Sequence, residues 1–333
     1  MKEFALGTRI IYGENAILSI KNLPYQRYFL VTDQFFVQNG MAEKIRTLCP
    51  TLHVFDKVQP DPSLTLVAQG VAELREFRPD AVIALGGGSA IDCAKGIVSM
   101  AEAALIAIPT TSGTGSEVTS FAILTHENVK HPLVEARLRP QIAILDDELL
   151  RALPKKLIAQ AGMDAVSHCI EALVAKNASI FTDALASHAL KILLEKLPLS
   201  YRGDVCARGE IHCAATMAGI AFDHAGLGVC HALSHAIGGM FHLPHGTING
   251  ILLPSVMRNA YEKSGARNMI LAVERLRRAL ELPETLTKAG LERHRVIEKL
   301  QEISQAAASD PCMSTNPKPM DTAQIAQLVR GVL

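Results

Sequence analysis

The chain has 333 residues, more than one compact domain ordinarily holds and enough for two. Its 33 Lys and Arg balance 33 Asp and Glu, so no net charge draws it to nucleic acid or an anionic membrane, and neither is expected as a partner. Hydrophobic residues reach 49%, enough for sizeable cores, yet no uninterrupted apolar run approaches the ~18–20 residues of a bilayer span.

Along the chain, the N-terminal "MKEFALGTRIIYGENA" lacks the apolar stretch of a secretory signal. "RYFLVTD" (27–33) is a short apolar strand ending at an acid, and "TLHVFDKV" (51–58) is another. "LVAQGVAELREFRP" (66–79) has helical spacing. "DAVIALGGGSAIDCAKGIVSMA" (80–101) reads as buried strand, glycine turn and amphipathic helix. "ALIAIPTTSGTGSEVTSFAIL" (104–124) is a strand breaking at Pro109 into a loop of small residues, and "PQIAILDDELL" (140–150) is one more strand. This alternation predicts a parallel sheet covered on both faces. Beyond residue 150 the chain is rich in Ala and Leu and reads as helical to Leu333, apart from "SDPCMSTNPKPMD". The expected division is an α/β dinucleotide-binding domain over 1–150 and an all-helical metal-binding domain over 151–333. Ligands are expected between the domains and at the carboxyl ends of the strands. Seven cysteines, odd in number and without CxxC spacing, indicate neither a disulfide framework nor a thiolate zinc site, and read as reduced thiols of a cytosolic protein.

The turn Gly86-Gly87-Gly88-Ser89 joins a strand to a helix. Helix-terminal amides unobstructed by side chains hold phosphate oxygens, although such a turn also serves tight packing. "PTTSGTGSE" (109–117) adds the hydroxyls of Thr110, Thr111, Ser112 and Thr114, and two such loops on one sheet point to an extended ligand such as a dinucleotide. Asp33 ends the first strand, where an acid accepts from ribose hydroxyls and repels a 2′-phosphate, favouring NAD over NADP. The plainer reading is a helix cap.

"HALSHAIGGMFHLPHG" (231–246) holds four of the chain's 12 histidines. His231 and His235 share a helix face, as do Asp164 and His168 in "MDAVSH". Gly238-Gly239 is expected to end the first of these helices, and Pro244 to let another begin near His245. The chain can then fold back to join Asp164, His168, His231 and His245 as one carboxylate and three imidazoles, a set suited to Fe²⁺ or Zn²⁺. His242 is expected to line the pocket, and His188, His212 and His224 to be surface or satisfied core residues.

Together "GGGSAIDCAK" (86–95), "PTTSGTGSEVT" (109–119), "GMDAVSHCIEA" (162–172), "GLGVCHALSHAIGG" (226–239) and "LPHGTINGILLP" (243–254) resemble the iron-containing alcohol dehydrogenases over nearly the whole chain. The resemblance implies a dehydroquinate-synthase-like fold: a Rossmann-like parallel-sheet domain followed by a helical one. It implies metal ligation by Asp164, His168, His231 and His245, the four residues that spacing selects. It implies NAD(H) contacts from Asp33, Gly86, Gly87, Gly88, Ser89, Asp92, Thr110, Thr111 and Thr114. His235 matches a histidine near the nicotinamide and the proton path, as suits an imidazole. Phe222 matches an aromatic of the substrate pocket. "FALGTRIIYGENA", "FHLPHG" and "CMSTNPKPMD" look most like the propanol dehydrogenases of bacterial microcompartments. That likeness implies a small alcohol or aldehyde substrate, a homodimer or larger assembly, and shell or lumen proteins as neighbours.

Rival readings are a zinc-dependent polyol dehydrogenase of the glycerol type, a dehydroquinate synthase, or a non-catalytic scaffold stapled by metal. The third histidine and "PTTSGTGSEVT" argue against the first two, and NAD binding would exclude the last. The chain is shorter than is usual for the family, with length missing between about Ala101 and Ala104, near Glu127–Lys130, and between about Asn259 and Lys288.

Overall fold

A computed structural model of the chain describes residues 3–126, 129–261 and 266–333. Residues 127–128 and 262–265, in two of the three places where the sequence is short, lie outside the described residues. The chain forms two compact units, Met1–Leu153 and Pro154–Leu333.

In the first unit the elements run β1 (Arg9–Gly13), β2 (Arg27–Val31), α1 (Gln34–Gln38), α2 (Met41–Arg46), β3 (Thr51–Phe55), α3 (Leu64–Phe77), β4 (Ala81–Gly86), α4 (Gly88–Val98), β5 (Ala104–Pro109), β6 (Phe121–His126), β7 (Val129–Val134) and β8 (Ile142–Asp146). Six of these strands form one all-parallel sheet in the order β1-β8-β5-β4-β2-β3, and β6 pairs antiparallel with β7. Period-2 alternation sorts the central strands between two cores. Tyr28, Leu30, Ile83, Leu85, Ile106 and Ile108 face Ile17, Ile20, Phe36 and Ile45. Phe29, Val31, Val82, Ala84, Leu105 and Ala107 face Val67, Val71, Ile91 and Ile97 of α3 and α4. Strands buried on both faces are continuous apolar runs, which is why β4 and β5 are legible in the sequence.

β1 and the β6–β7 hairpin are not among the strands the sequence pattern predicts. β1 lies at the sheet edge with no fully buried residue, and its pairing with β8 is 133 positions away in sequence at Arg9–Ile142. The sheet reverses its winding between β2 and β4, which are adjacent. Their carboxyl ends therefore flank the crevice where open α/β sheets take ligands. The Thr32 hydroxyl donates to the Leu85 carbonyl at 2.9 Å and ties these two ends together.

The second unit is helical: α5 (Lys155–Val174), α6 (Ile180–Tyr201), α7 (Val205–Ala225), α8 (Val229–Phe241), α9 (His245–Asn259), α10 (Ala266–Ala279), α11 (Arg293–Glu298), α12 (Leu300–Ala308) and α13 (Thr322–Arg330). α5 is 20 residues long and, at a mean hydropathy of 1.2, meets the length and composition of a span, but Asp164, His168 and Glu171 interrupt it, so it is no continuous apolar run. It is 78% buried within the protein, as befits a central core helix. Glycines let α5 approach its neighbours: a Cβ at Gly162 would meet the Leu197 side chain at 2.4 Å, and one at Gly246 would sit 1.9 Å from the Gln160 carbonyl oxygen. One expectation needs correction: α8 continues through Gly238 and Gly239 to Phe241. It ends at His242, whose φ of 56° is left-handed. His242 is exposed there.

Candidate functional site

The expected cofactor residues gather at the carboxyl ends of neighbouring strands. Gly86, at the end of β4, has φ 148°, which L side chains avoid, and a Cβ there would lie 2.6 Å from that of Ala90. Gly87 caps α4, whose first amides have no partner within the helix. The second loop closes over this turn. The Thr110 amide donates to the Gly86 carbonyl at 3.0 Å, and Thr111 and Thr114 lie against Gly87 and Gly88 so closely that added Cβ atoms would sit 3.3 and 3.0 Å from them. Ser89 is half-buried beside them. Side chains larger than hydrogen at positions 87 and 88 would separate the two loops.

Asp33 caps α1, its Oδ1 accepting from the amides of Phe35 at 2.9 Å and Phe36 at 3.4 Å. Among the described residues Oδ2 has no recorded donor, so the capping geometry leaves an acceptor for a ribose. Asp92 Oδ1 accepts from the Ser116 hydroxyl at 2.6 Å and Oδ2 from the Ile123 amide at 3.1 Å, so the carboxylate braces the second loop. Lys95, one turn further along α4, is fully buried and donates to Ser116, Thr119 and the Phe121 carbonyl at 3.1, 3.0 and 2.7 Å. A buried ammonium needs such partners. Lys95 lies within "GGGSAIDCAK", but nothing in that string shows that its amine reaches the loop 21–26 residues on.

In the second unit, α5 supplies Asp164 and His168, α8 supplies His231 and His235, and α9 opens at His245. Asp164 Oδ1 lies 4.0, 3.7 and 3.6 Å from Nε2 of His168, His231 and His245. The donor atoms of Asp164, His168 and His231 all lie within 4.8 Å of one another. Separations of this size are too long for hydrogen bonds and a few tenths of an ångström wider than the roughly 3–3.5 Å between donors that share an ion at about 2.1 Å, so small side-chain shifts would bring them onto one ion. Three of these side chains are almost fully buried, whereas His245 is 33% exposed and marks the open side. Phe222 is buried and stacks on His168 with ring centres 4.3 Å apart, forming one wall.

Electrostatics favour a cation here. Burial alone would raise the Asp164 pKa, but the imidazoles of His168, His245 and His231 hold its carboxyl well below the usual range. Burial opposes charge on His231 too, yet the neighbouring carboxylates of Asp164 and Glu171 push it up to about 9. Desolvation of the His245 nitrogen facing the cluster, added to repulsion from neighbouring imidazoles, outweighs Asp164 and keeps that ring well below the ordinary value. A divalent ion would replace this mixture of proton-sharing groups with a single charge held by four lone pairs.

Spacing does not reveal three further groups. The Asn249 amide reaches Asp164 Oδ1 at 2.8 Å and His231 Nε2 at 3.2 Å. Glu171 Oε2 is 2.5 Å from His231 Nδ1. Asp310 Oδ2 is 2.8 Å from Nδ1 of His235, whose ring stacks on His245 at 5.1 Å. Burial would raise the Asp310 pKa, but the His235 bond and charge and the Cys312 amide bring it down to about 2. Glu171 has a sequence signal, since it lies three residues after His168 on the same helix. Asp310 is 75 residues from His235 and has none.

The model of the iron-containing alcohol dehydrogenase family matches residues 7–147, and that of the Fe-containing alcohol dehydrogenase family C-terminal domain matches 158–271. The chain belongs to the iron-containing alcohol dehydrogenases. It is 35% identical over 370 aligned positions to the 1-propanol dehydrogenase PduQ of Citrobacter freundii, covering 100% of both chains. The structure of an iron-containing alcohol dehydrogenase from Thermococcus thioreducens superposes with a TM-score of 0.94 at 30% identity, covering 99% of each chain. That of a sulfoacetaldehyde reductase from Bifidobacterium kashiwanohense in complex with NAD⁺ does so with a TM-score of 0.91 at 25% identity, covering 100% of this chain and 98% of the other. These full-length likenesses bear out the expected fold, an α/β unit with a parallel sheet followed by a helical unit. The alcohol dehydrogenase's 333 residues aligned over 370 positions also agree with its being shorter than its relatives.

Proposed function

We propose that the protein is an NAD(H)-dependent alcohol dehydrogenase and aldehyde reductase acting on a small aliphatic substrate of the propanol/propionaldehyde or ethanol/acetaldehyde kind. The observation that carries this reading is one buried carboxylate oxygen facing three imidazole Nε2 atoms at 3.6–4.0 Å, in a chain that also has a glycine turn suited to pyrophosphate. Asp164, His168, His231 and His245 would hold Fe²⁺, with Zn²⁺ as the alternative that the same donors accept. When bound, the ion supplies Lewis acidity to the substrate oxygen and the nicotinamide gives or takes the hydride.

The chain's residues have separable roles. The amides at Gly87–Ser89 and the hydroxyls of Thr110, Thr111 and Thr114 bind phosphate, with Asp92 and Lys95 bracing that loop from behind. Asp33 accepts from the adenosine ribose and disfavours a 2′-phosphate. Phe222 excludes water on the His168 side. His235 moves the substrate proton at Nε2, and Asp310 holds the ring through Nδ1. Likeness to 1-propanol dehydrogenase supports a short aliphatic substrate, and "CMSTNPKPMD" motivates a cytoplasmic home in or beside a microcompartment, as a homodimer or larger assembly. The test is anaerobic reconstitution with Fe²⁺ or Zn²⁺, followed by NADH oxidation with a panel of C2–C4 aldehydes. Metal-dependent turnover is expected. A reconstituted protein that binds NADH but reduces none of them would refute the reading.

A further inference from the structure

The geometry points to Glu171 as a positioning residue of the metal centre, a carboxylate behind His231 that sets which ring nitrogen is available to an ion. This rests on the reading of Asp164, His168, His231 and His245 as ligands.

Glu171 lies seven residues after Asp164 on α5, two turns along the same face, and is fully buried. Its side chain enters the first turn of α8. Oε2 accepts from the Gly228 amide at 3.0 Å, the His231 amide at 3.4 Å and His231 Nδ1 at 2.5 Å. Oε1 accepts from the Cys230 amide at 2.9 Å and from the Tyr261 hydroxyl. Asn316 Oδ1 takes the remaining amide, that of Val229, at 3.0 Å. All four amides that open α8, which a helix cannot satisfy internally, therefore end on these two side chains. Only glycine at 228 permits this: a Cβ would lie 2.6 Å from Asn316 Oδ1, 2.7 Å from Tyr261 Oη and 2.9 Å from Glu171 Oε1.

The consequence for His231 follows from donor counting. The groups around Glu171 are donors, so the carboxylate stays ionised and acts only as an acceptor. Nδ1 must then carry its proton towards Glu171, and the Nε2 lone pair is directed at the Asp164–His168 side. The amide in Glu171→Gln cannot reproduce this. With its NH₂ at the Oε2 position, it faces two backbone amides and forces Nδ1 to accept, which moves the ring proton to Nε2. With its NH₂ at the Oε1 position, it opposes the Cys230 amide. Tyr261 and Asn316 touch no ligand atom, and act on the ion only through Glu171 and the start of α8.

The test uses Co²⁺ as the probe, titrated into the full-length protein stripped with a chelator, read by visible absorption and by competition with a chromophoric chelator. The wild type is expected to bind Co²⁺. Glu171→Gln is expected to bind it about 10–100-fold more weakly, with altered band intensities. Tyr261→Phe is expected to weaken binding in the same direction by about 2–5-fold, since one donor of several is lost. A purely structural role would lower the melting temperature of the metal-free protein and leave the Co²⁺ affinity and spectrum of the folded protein unchanged, and that result would overturn the inference. If Glu171→Gln does not fold, Tyr261→Phe decides, and an unchanged Co²⁺ affinity in it would overturn the inference as well. A wild type that takes up no Co²⁺ would instead overturn the ligand assignment itself.

Discussion

Gly246 follows His245 at the start of α9 and packs directly against the backbone of α5. An alanine Cβ would lie 1.9 Å from the carbonyl oxygen of Gln160 and 2.6 Å from its carbonyl carbon. Both are backbone atoms, so no side-chain rotation relieves the overlap. The helices must part by about 1 Å or more to restore ordinary van der Waals spacing. Overpacking of this kind costs about 1–3 kcal/mol, and the better helix propensity of alanine returns at most ~1 kcal/mol. The net is a melting temperature lower by about 3–6 °C. The larger effect falls on the ion. His245 Nε2 is 3.6 Å from Asp164 Oδ1 across these same two helices. A shift of about 1 Å exceeds the roughly 0.2 Å tolerance of a metal–ligand bond severalfold. Gly246→Ala is therefore expected to lose ion affinity by about 10-fold or more, with NADH binding to the glycine turn retained. Gly239→Ala is the control: it lies inside α8 with nothing within 4 Å of the added Cβ, and should be neutral or stabilising by up to ~1 kcal/mol. Elemental analysis after gel filtration and a thermal melt check both variants. A Gly246→Ala protein with wild-type metal content and stability would refute the packing argument.

Other outcomes can be checked alongside. His245→Ala should abolish turnover through loss of the ion, and a variant retaining both metal content and rate would remove His245 from the ligand set. Asp33→Gly should raise NADPH use relative to NADH, at a small cost in stability from the lost α1 cap, on the order of a few tenths of a kcal/mol. An unchanged ratio of kcat/KM for the two cofactors counts against a ribose-facing carboxylate. Burial raises Cys93 from 9.0 to about 12 and Tyr28 from 10.0 to about 12. Because these folded-state values lie above the unfolded ones, the contribution is whole below pH 9 and lost as pH rises towards 12. The urea midpoint should therefore fall across that window, and a flat profile would refute it. Neutral-pH alkylation should modify exposed Cys206 and spare buried Cys93, Cys169 and Cys230 until the protein unfolds. Labelling of Cys230 in the native protein would mean that α8 is open.

Much of this protein can be read from one dimension because its signals are local. Strands buried on both faces are continuous apolar runs, so β2, β4 and β5 stand out. Positions four apart share a helix face, so Asp164 with His168 and His231 with His235 are visible as pairs. A strand that breaks at glycine into a helix announces a phosphate-binding turn. What stayed hidden depends on contacts between distant segments. The sheet-edge strand β1 finds β8 only in three dimensions. Gly238 and Gly239 look like a helix end, yet tertiary packing carries α8 past them to a left-handed His242. The bonds that Asp92 makes to Ser116 and Ile123 join segments 24 and 31 residues apart and have no local signal. Glu171, Asn249 and Asp310 acquire their partners from other helices and from the C-terminal loop, 18 to 90 residues away. Residue types and local periodicity thus determined which side chains could bind an ion and a phosphate. Only the packing of α5, α8 and α9, set by the shape of glycine contacts and by the need to satisfy helix-end amides, decided how those side chains are aimed.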